Sequence, residues 1–278
     1  MKSHRSSTYD ISYVSDGEGN QMTSRSGTRG VDPHWWQVAD KVSTASISTQ
    51  LLRRGFRSTF MTGVAPLRPE LRMAGYAFTL RYAPAREDVG TGLDFDNRTN
   101  IQRLAVESVS QREVLVIDAR GELSAASLGH ILATRLMVRG AAGLVTDGAL
   151  RDSPSFADLD LPVYSRGAHA TTSATIHHPV ESQVVIGCAG VLVMPGDVLI
   201  GDAEGVVVVP QSVAVDVVLA AADQDEFENF LLERVQSGAT LEGTYPPNEA
   251  TRAEYAQRGA GLADDTGGGD TGGSGSAA

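Results

Sequence analysis

Residues 129–167 read GHILATRLMVRGAAGLVTDGALRDSPSFADLDLPVYSRG. The apolar spacing predicts a helix over about Ile131 to Arg139, stopped by Gly140, whose access to positive φ suits a helix C-terminus. Ala141 to Thr146 is a short apolar run of strand type, and Asp147-Gly148 is a turn signal. Arg151 and Asp152 then stand side by side just past a strand end, and Pro162-Val163 opens the next strand. In sheets with helical crossovers, ligands collect outside the carboxyl ends of the strands. A guanidinium grips a carboxylate through two parallel hydrogen bonds. A neighbouring carboxylate holds a hard divalent cation. Together the pair suits a small anionic substrate on a metal. The plainer alternative is a surface Arg beside an Asp that caps a helix opening at Ser153-Pro154.

Outward from this block the chain reads as one domain, about residues 30 to 260. Trp35 to Arg54 looks helical, with the Ser/Thr run opening a second helix that ends at Gly55. Arg72 to Tyr82 alternates and is rich in β-formers. Asp94 to Ser110 is helical by pattern, and Glu113 to Asp118 is a strand. Gln183 to Val193 and Val198 to Val209 read as strands split by Pro195-Gly196-Asp197, and Val213 to Gln236 as a long helix closed by Gly238. Helices and strands interleave, then strands cluster before the last helix, which is an α/β pattern. Residues 1–29 are polar and poor in large apolar side chains, so a disordered arm is expected. Residues 261–278 are mostly Gly, Ser, Thr, Asp and Ala, the composition of a flexible tail.

Among 278 residues, 41% are hydrophobic, enough for a substantial core. The net charge of −11 argues against a broad nucleic-acid surface, which needs basic patches. A local Arg can still dominate its own pocket. The single cysteine, Cys188, forms no disulfide within the chain, and its apolar setting (VVIGCAG, Val184–Gly190) predicts a buried thiol. No apolar run reaches transmembrane length, and the first residues lack the apolar core of a signal peptide. A cytoplasmic protein with no membrane partner is the expectation.

The central block resembles the RraA-like family, which includes 4-hydroxy-4-methyl-2-oxoglutarate aldolases, oxaloacetate decarboxylases and RraA proteins. The shared features are Gly129, Ala133, Arg139-Gly140, Gly143, Asp147-Gly148, Arg151-Asp152 and Pro162-Val163. Ser43–Ser48, Gly63–Leu67 and Gly75–Thr79 agree upstream, and Val193–Asp197, Gly201-Asp202 and Gly205–Pro210 agree downstream. The resemblance covers about residues 40 to 240. It implies a three-layer β/β/α swivelling, phosphohistidine-domain-like fold. It also implies homotrimers or homohexamers with the active site between subunits.

By the same resemblance, Arg151 binds the carboxylate of the pyruvyl group and faces the charge of its enolate, as a developing anion requires. Asp152 anchors Mg2+, or another divalent cation such as Mn2+, largely through waters. The amides of Leu132 and Ala133, at the helix start, contact the pyruvyl carboxylate. Glu228 reaches the metal site from a neighbouring subunit, with Asp225, Glu226 and Glu233 competing for that role. Residue 130 departs from the pattern. The aldolases carry an Asp twenty-one positions before the Arg, and here that position is His130. A histidine transfers protons near neutral pH but does not duplicate a carboxylate.

His169, His177 and His178 do not have a standard zinc spacing and read as solvated strand or loop residues. Neither a P-loop nor a G-x-G-x-x-G strand-to-helix turn is present. Asp94, Asp96 and Asn97 read as helix caps. The reading that follows is a metal-dependent carbon–carbon lyase acting on a small anionic 2-oxo acid by retro-aldol cleavage or decarboxylation. The alternatives are a dehydratase or other lyase on a sugar-acid-derived 2-oxo acid, and a non-catalytic RraA-type regulator of ribonuclease E.

Overall fold

The computed structural model describes residues 33–88 and 96–265. The expected N-terminal arm lies outside these residues, as does the tail from residue 266 onward. The elements begin with α1 (Pro33–Ala39), α2 (Thr44–Arg53), β1 (Ala65–Pro66), β2 (Met73–Pro84), α3 (Ile101–Ser108) and β3 (Glu113–Asp118). Then come β4 (Ala126–Leu128), α4 (His130–Val138), β5 (Gly143–Thr146), β6 (Ala149–Leu150), β7 (Val163–Ser165) and β8 (Gly167–Ala168). The last are β9 (His177–Ser182), β10 (Ile186–Cys188), β11 (Val191–Val193), β12 (Val198–Asp202), β13 (Gly205–Val209), α5 (Ala214–Gln236) and α6 (Glu249–Asp265).

The main sheet has the order β1-β7-β5-β3-β2-β12-β13, and β9 also pairs with the long strand β2. Strands β2, β3, β5 and β7 run parallel to one another, while β1, β9, β12 and β13 join antiparallel. The two end strands, β1 and β13, lie beside each other, so the sheet curls almost into a barrel. Side chains alternate across it, as strand geometry demands. Leu115 and Ile117 of β3 pack with Leu128, Ala133 and Leu136 under α3 and α4. Val114 and Val116 pack on the other face with Cys188, Val191 and Val193 of the β10–β11 hairpin. These are the three layers: hairpin, central sheet, helices. Strands β3 and β5 are therefore covered on both faces, which is why they read as unbroken apolar runs.

A second, smaller sheet has the order β4-β6-β8, with all three strands parallel. Its two leading strands deliver the chain into α4 and into Arg151 respectively, and Arg151 N donates to Leu128 O at 3.1 Å. Helix α4 ends in a Schellman arrangement. Gly140 has φ 80, and the amide of Ala141 returns to Leu136 O at 3.1 Å.

The second helix expected from the Ser/Thr run is present as α2, where Ser43 caps it by accepting from Ser46 N at 3.1 Å. Other expectations need correction. The helix expected over Asp94 to Ser110 is only Ile101–Ser108, capped by Asn100 rather than by Asp96 or Asn97; Asp94 lies outside the described residues. Gln183 to Val193 is not one strand, because Ala189 and Gly190 both adopt positive φ and fold it into a hairpin. Val198 to Val209 is likewise a hairpin, β12–β13. Helix α6, which reaches Asp265, was not anticipated. Cys188 is buried, as expected, and burial pushes its thiol well up.

Candidate functional site

A cleft of about 190 Å³ opens where the β4-β6-β8 sheet meets the starts of α3 and α4. That is small for a drug-sized ligand and of a size for a small acid. Its polar lining is Gln102, Arg103, Arg151, Asp152, Thr172 and Ser173, and Leu128 and Leu132 line it with apolar surface. Asp152 is the single carboxylate that lines it among the described residues.

Arg151 and Asp152 do meet here, and their packing is tight. Arg151 Nε lies 3.5 Å from Asp152 Oδ2, with both side chains 43% exposed. Nε itself is shielded from solvent and makes no hydrogen bond within the chain. A shielded donor of a charged group is costly without an acceptor, and here the nearby carboxylate offsets its charge without a hydrogen bond. Asp152 sits in the left-handed region at φ 59, ψ 27, where most non-glycine residues are strained. It does not use its side chain to cap the 3-10 turn Ser153–Asp158. The carboxylate turns instead toward α4, accepting from His130 N at 3.4 Å. The simpler reading of Asp152 as the side-chain cap of the turn that opens at Ser153 is therefore not realised.

Gly129 makes room for this arrangement. A Cβ there would lie 2.8 Å from Arg151 Cγ and 3.1 Å from Asp152 Oδ2. The start of α4 thus lies directly behind the charged pair. The amides of Leu132 and Ala133 both donate to Gly129 O at 3.2 Å; Leu132 lines the cleft, whereas the Ala133 side chain is buried in the core. The His130 ring packs edge-on against Phe156, with centroids 5.8 Å apart. It is not among the residues lining the cleft.

Glu228 lies on α5, exposed, and accepts from Gln224 Nε2 at 2.8 Å. It does not line the cleft of its own chain. Two of its rivals have structural partners. Asp225 accepts from Ser43 N and Ser43 Oγ, both at 2.7 Å, and Glu233 pairs with Arg258 at 2.5 Å. Among the described residues no group of three or more His, Cys, Asp or Glu gathers as a metal site. A lone carboxylate on an open, polar cleft is a hard oxygen donor of the kind Mg2+ accepts while it keeps most of its waters. Asp152 supplies one such oxygen donor to the cleft.

The histidines divide. His169 Nδ1 accepts from Thr171 N at 3.1 Å and braces a turn. His177 is buried, which corrects the expectation of a solvated side chain. Burial, then the Arg120 guanidinium, holds its imidazole below the usual histidine range. Arg103, Gln102, Thr172 and Ser173 were not singled out from sequence. Gln102 and Arg103 come from a segment nearly fifty residues before Arg151, and Thr172 and Ser173 from the turn just past the block, so the fold brings them together.

The family model described as RraA-like, Aldolase/RraA, matches residues 44–208. A putative 4-hydroxy-4-methyl-2-oxoglutarate aldolase of Halalkalibacterium halodurans is 33% identical over 138 residues, which are 48% of this chain and 65% of the relative. Protein DlpA of Legionella pneumophila is 28% identical over 76% of this chain and 33% of its own length. The chain therefore spans less than two thirds of these curated relatives. A crystal structure of Streptomyces coelicolor RraAS2, described as an unusual member of the RNase ES inhibitor RraA protein family, superposes with a TM-score of 0.64 at 30% identity, over 72% of this chain and 96% of that one.

Proposed function

Because the chain belongs to the RraA-like family, we propose that it is a divalent-metal-dependent carbon–carbon lyase acting on a small anionic 2-oxo acid. The observation that carries this reading is the Arg151–Asp152 pair. A shielded guanidinium nitrogen without a hydrogen bond stands beside a carboxylate that does not cap its own 3-10 turn and instead meets the first amide of α4. An unmet charged donor beside a carboxylate at a helix start is a mark of a site that a ligand completes.

Arg151 binds the substrate carboxylate and orients it against the start of α4. Retro-aldol cleavage or decarboxylation of a 2-oxo acid leaves negative charge on the former carbonyl oxygen. Arg151, fixed by contact with Gly129, is a preorganised positive partner for that charge. The apolar wall of Leu128 and Leu132 limits water around it and strengthens the pairing. Asp152 would hold the divalent cation, and the chemistry that ion would supply is Lewis-acid polarisation of the 2-oxo group. His130 stands next to this pair on α4, with its ring on Phe156, so a part in proton transfer requires the ring to leave that contact. Leu132 and Ala133 have their amides engaged with Gly129 O, so their part is to shape the helix start.

Assembly as a homotrimer or homohexamer belongs to the same reading. Ile131, at the mouth of the cleft, is 80% exposed, and Val138 on the same helix is 67% exposed. A neighbouring copy covering them would bring a carboxylate such as Glu228 to Asp152. The test is pyruvate release from oxaloacetate and from 4-hydroxy-2-oxo diacids, with and without Mg2+. Metal-stimulated release supports the lyase; none with any of them overturns it. The second reading, a regulator that binds an RNase E-type enzyme, is favoured by the likeness to RraAS2. It is tested by inhibition of RNA cleavage by such an enzyme.

A further inference from the structure

We propose that Thr172 and Ser173, which form one wall of the cleft, belong to an acid-released flap whose two latches are His169 and His177. The proposal stands on the geometry of this segment and does not depend on the lyase reading. The segment runs from β8 through the 3-10 turn Ser173–Thr175 into β9. At its near end His169 Nδ1 accepts from Thr171 N at 3.1 Å. At its far end His177 Nδ1 lies 3.4 Å from a terminal nitrogen of Arg120, which also donates to Ile176 O at 3.1 Å. A peptide N–H and a guanidinium can only donate, so both rings must accept, and both carry their proton on Nε2. In His177 that Nε2 is shielded from solvent and meets no acceptor, so the latched ring gains nothing from its own donor. Protonation of Nδ1 turns either latch into a donor facing a donor.

The surroundings of His177 set the direction of the response. Burial, then the Arg120 cation, disfavours a charged ring in the latched state, and Glu122 opposes them more weakly. From β2 the ring meets Tyr82, with centroids 5.2 Å apart, and burial keeps that phenol neutral. Helix α3 adds the neutral Gln102, whose Nε2 donates to Tyr82 Oη at 2.7 Å. Arg81 and Glu181, paired across β2 and β9, offset each other. A released His177 regains the ordinary value of about 6.5 and takes up a proton before the latched ring does. Each pH unit below about 6.5 therefore favours release by up to about tenfold through this ring. His169 is tied to β6, its own amide donating to Leu150 O at 2.9 Å, and Arg151 is the charged residue that follows that strand. Backbone bonds from Ala126 N to Thr171 O and from Ala85 N to Ile176 O, both at 3.0 Å, do not depend on either imidazole. They confine the movement to the turn between them, so acid withdraws the Thr172–Ser173 wall and loosens the cleft's hold on a small ligand.

Amide hydrogen exchange of the full chain at about pH 7.5 and about pH 5.5, corrected for the intrinsic pH dependence of exchange, tests this with β3 as the internal reference. Protection of residues 171–176 should fall by roughly three- to tenfold at the lower pH, while that of β3 stays within about twofold. The double variant His169→Gln with His177→Gln keeps an acceptor for each donor but cannot be protonated in this range, and it should abolish the response. Equal falls in the segment and in β3, no fall in the segment, or an undiminished fall in the double variant would overturn the proposal. Ring nitrogen shifts of the histidines in wild type decide independently of whether the variant folds. Both His169 and His177 should carry the proton on Nε2 at about pH 7.5, and an Nδ1–H on either ring would overturn its latch.

Discussion

Gly129 and Arg151 occupy the same space by turns: a methyl group on the glycine would sit 2.8 Å from the arginine Cγ. The backbone at Gly129, with φ −124, is open to any residue, so the crowding by Arg151, with Asp152 Oδ2 beside it, enforces the glycine. Gly129→Ala must therefore push the Arg151 stem off the cleft wall. We expect a stability loss of about 1–3 kcal/mol from overpacking. We also expect turnover to fall well over tenfold, measured by steady-state kinetics beside thermal melts. Full activity in a stable Gly129→Ala protein would show that the position of Arg151 is not critical.

Asp152→Asn keeps a side chain that tolerates left-handed backbone and removes the charge. Its melting temperature should match wild type, and the response of turnover to added Mg2+ should disappear. A Mg2+ titration on both proteins checks this. Retained metal dependence would place the anchor on another residue.

His130→Ala removes the edge contact with Phe156, worth about 0.5–1.5 kcal/mol. Because the ring does not line the cleft, the rate should fall less than in Arg151→Ala. His130→Asp restores the carboxylate of the aldolases and is expected to raise retro-aldol or decarboxylase activity. A rate–pH profile that is unchanged in His130→Ala would exclude the imidazole from proton transfer.

Burial and the nearby Arg120 cation keep His177 neutral in the fold. Its folded pKa lies below the unfolded value of about 6.5, so the unfolded chain takes up the proton first. The stability this group contributes is thus complete above about pH 6.5 and lost as the pH falls below it. Asp118, Asp147 and Asp197 are raised by burial and act with the opposite sign, so the comparison needs a variant. Denaturant midpoints from pH 5 to 8 should decline on the acid side less steeply in His177→Gln than in wild type. Parallel curves would show that His177 does not titrate on unfolding.

Much of the fold was legible because its strongest signals are local. Glu113–Asp118 is an apolar run covered on both faces, and Gly140 stops α4 by a backbone conformation that glycine adopts without strain. The Arg151–Asp152 pair was legible for a similar reason, since both residues follow one short strand directly. What escaped depends on distant partners. Ala189 is not a residue that announces positive φ, so nothing in the local sequence separates the β10–β11 hairpin from a single strand. The burial of His177 comes from β9 pairing with β2, nearly a hundred residues earlier in the chain. Arg103 reaches the cleft only because Gln102 ties α3 to β4 through Ser127 O, and no spacing within its own segment marks it.

The decisive measurement is pyruvate release from oxaloacetate by wild type and Arg151→Ala at saturating Mg2+, with both proteins shown folded by circular dichroism. Wild type should release pyruvate in a metal-stimulated reaction, and Arg151→Ala should lose about 2.7–4 kcal/mol of transition-state stabilisation, a fall of about a hundredfold to a thousandfold. Equal release by the two proteins would contradict the assignment of the cleft as the active site.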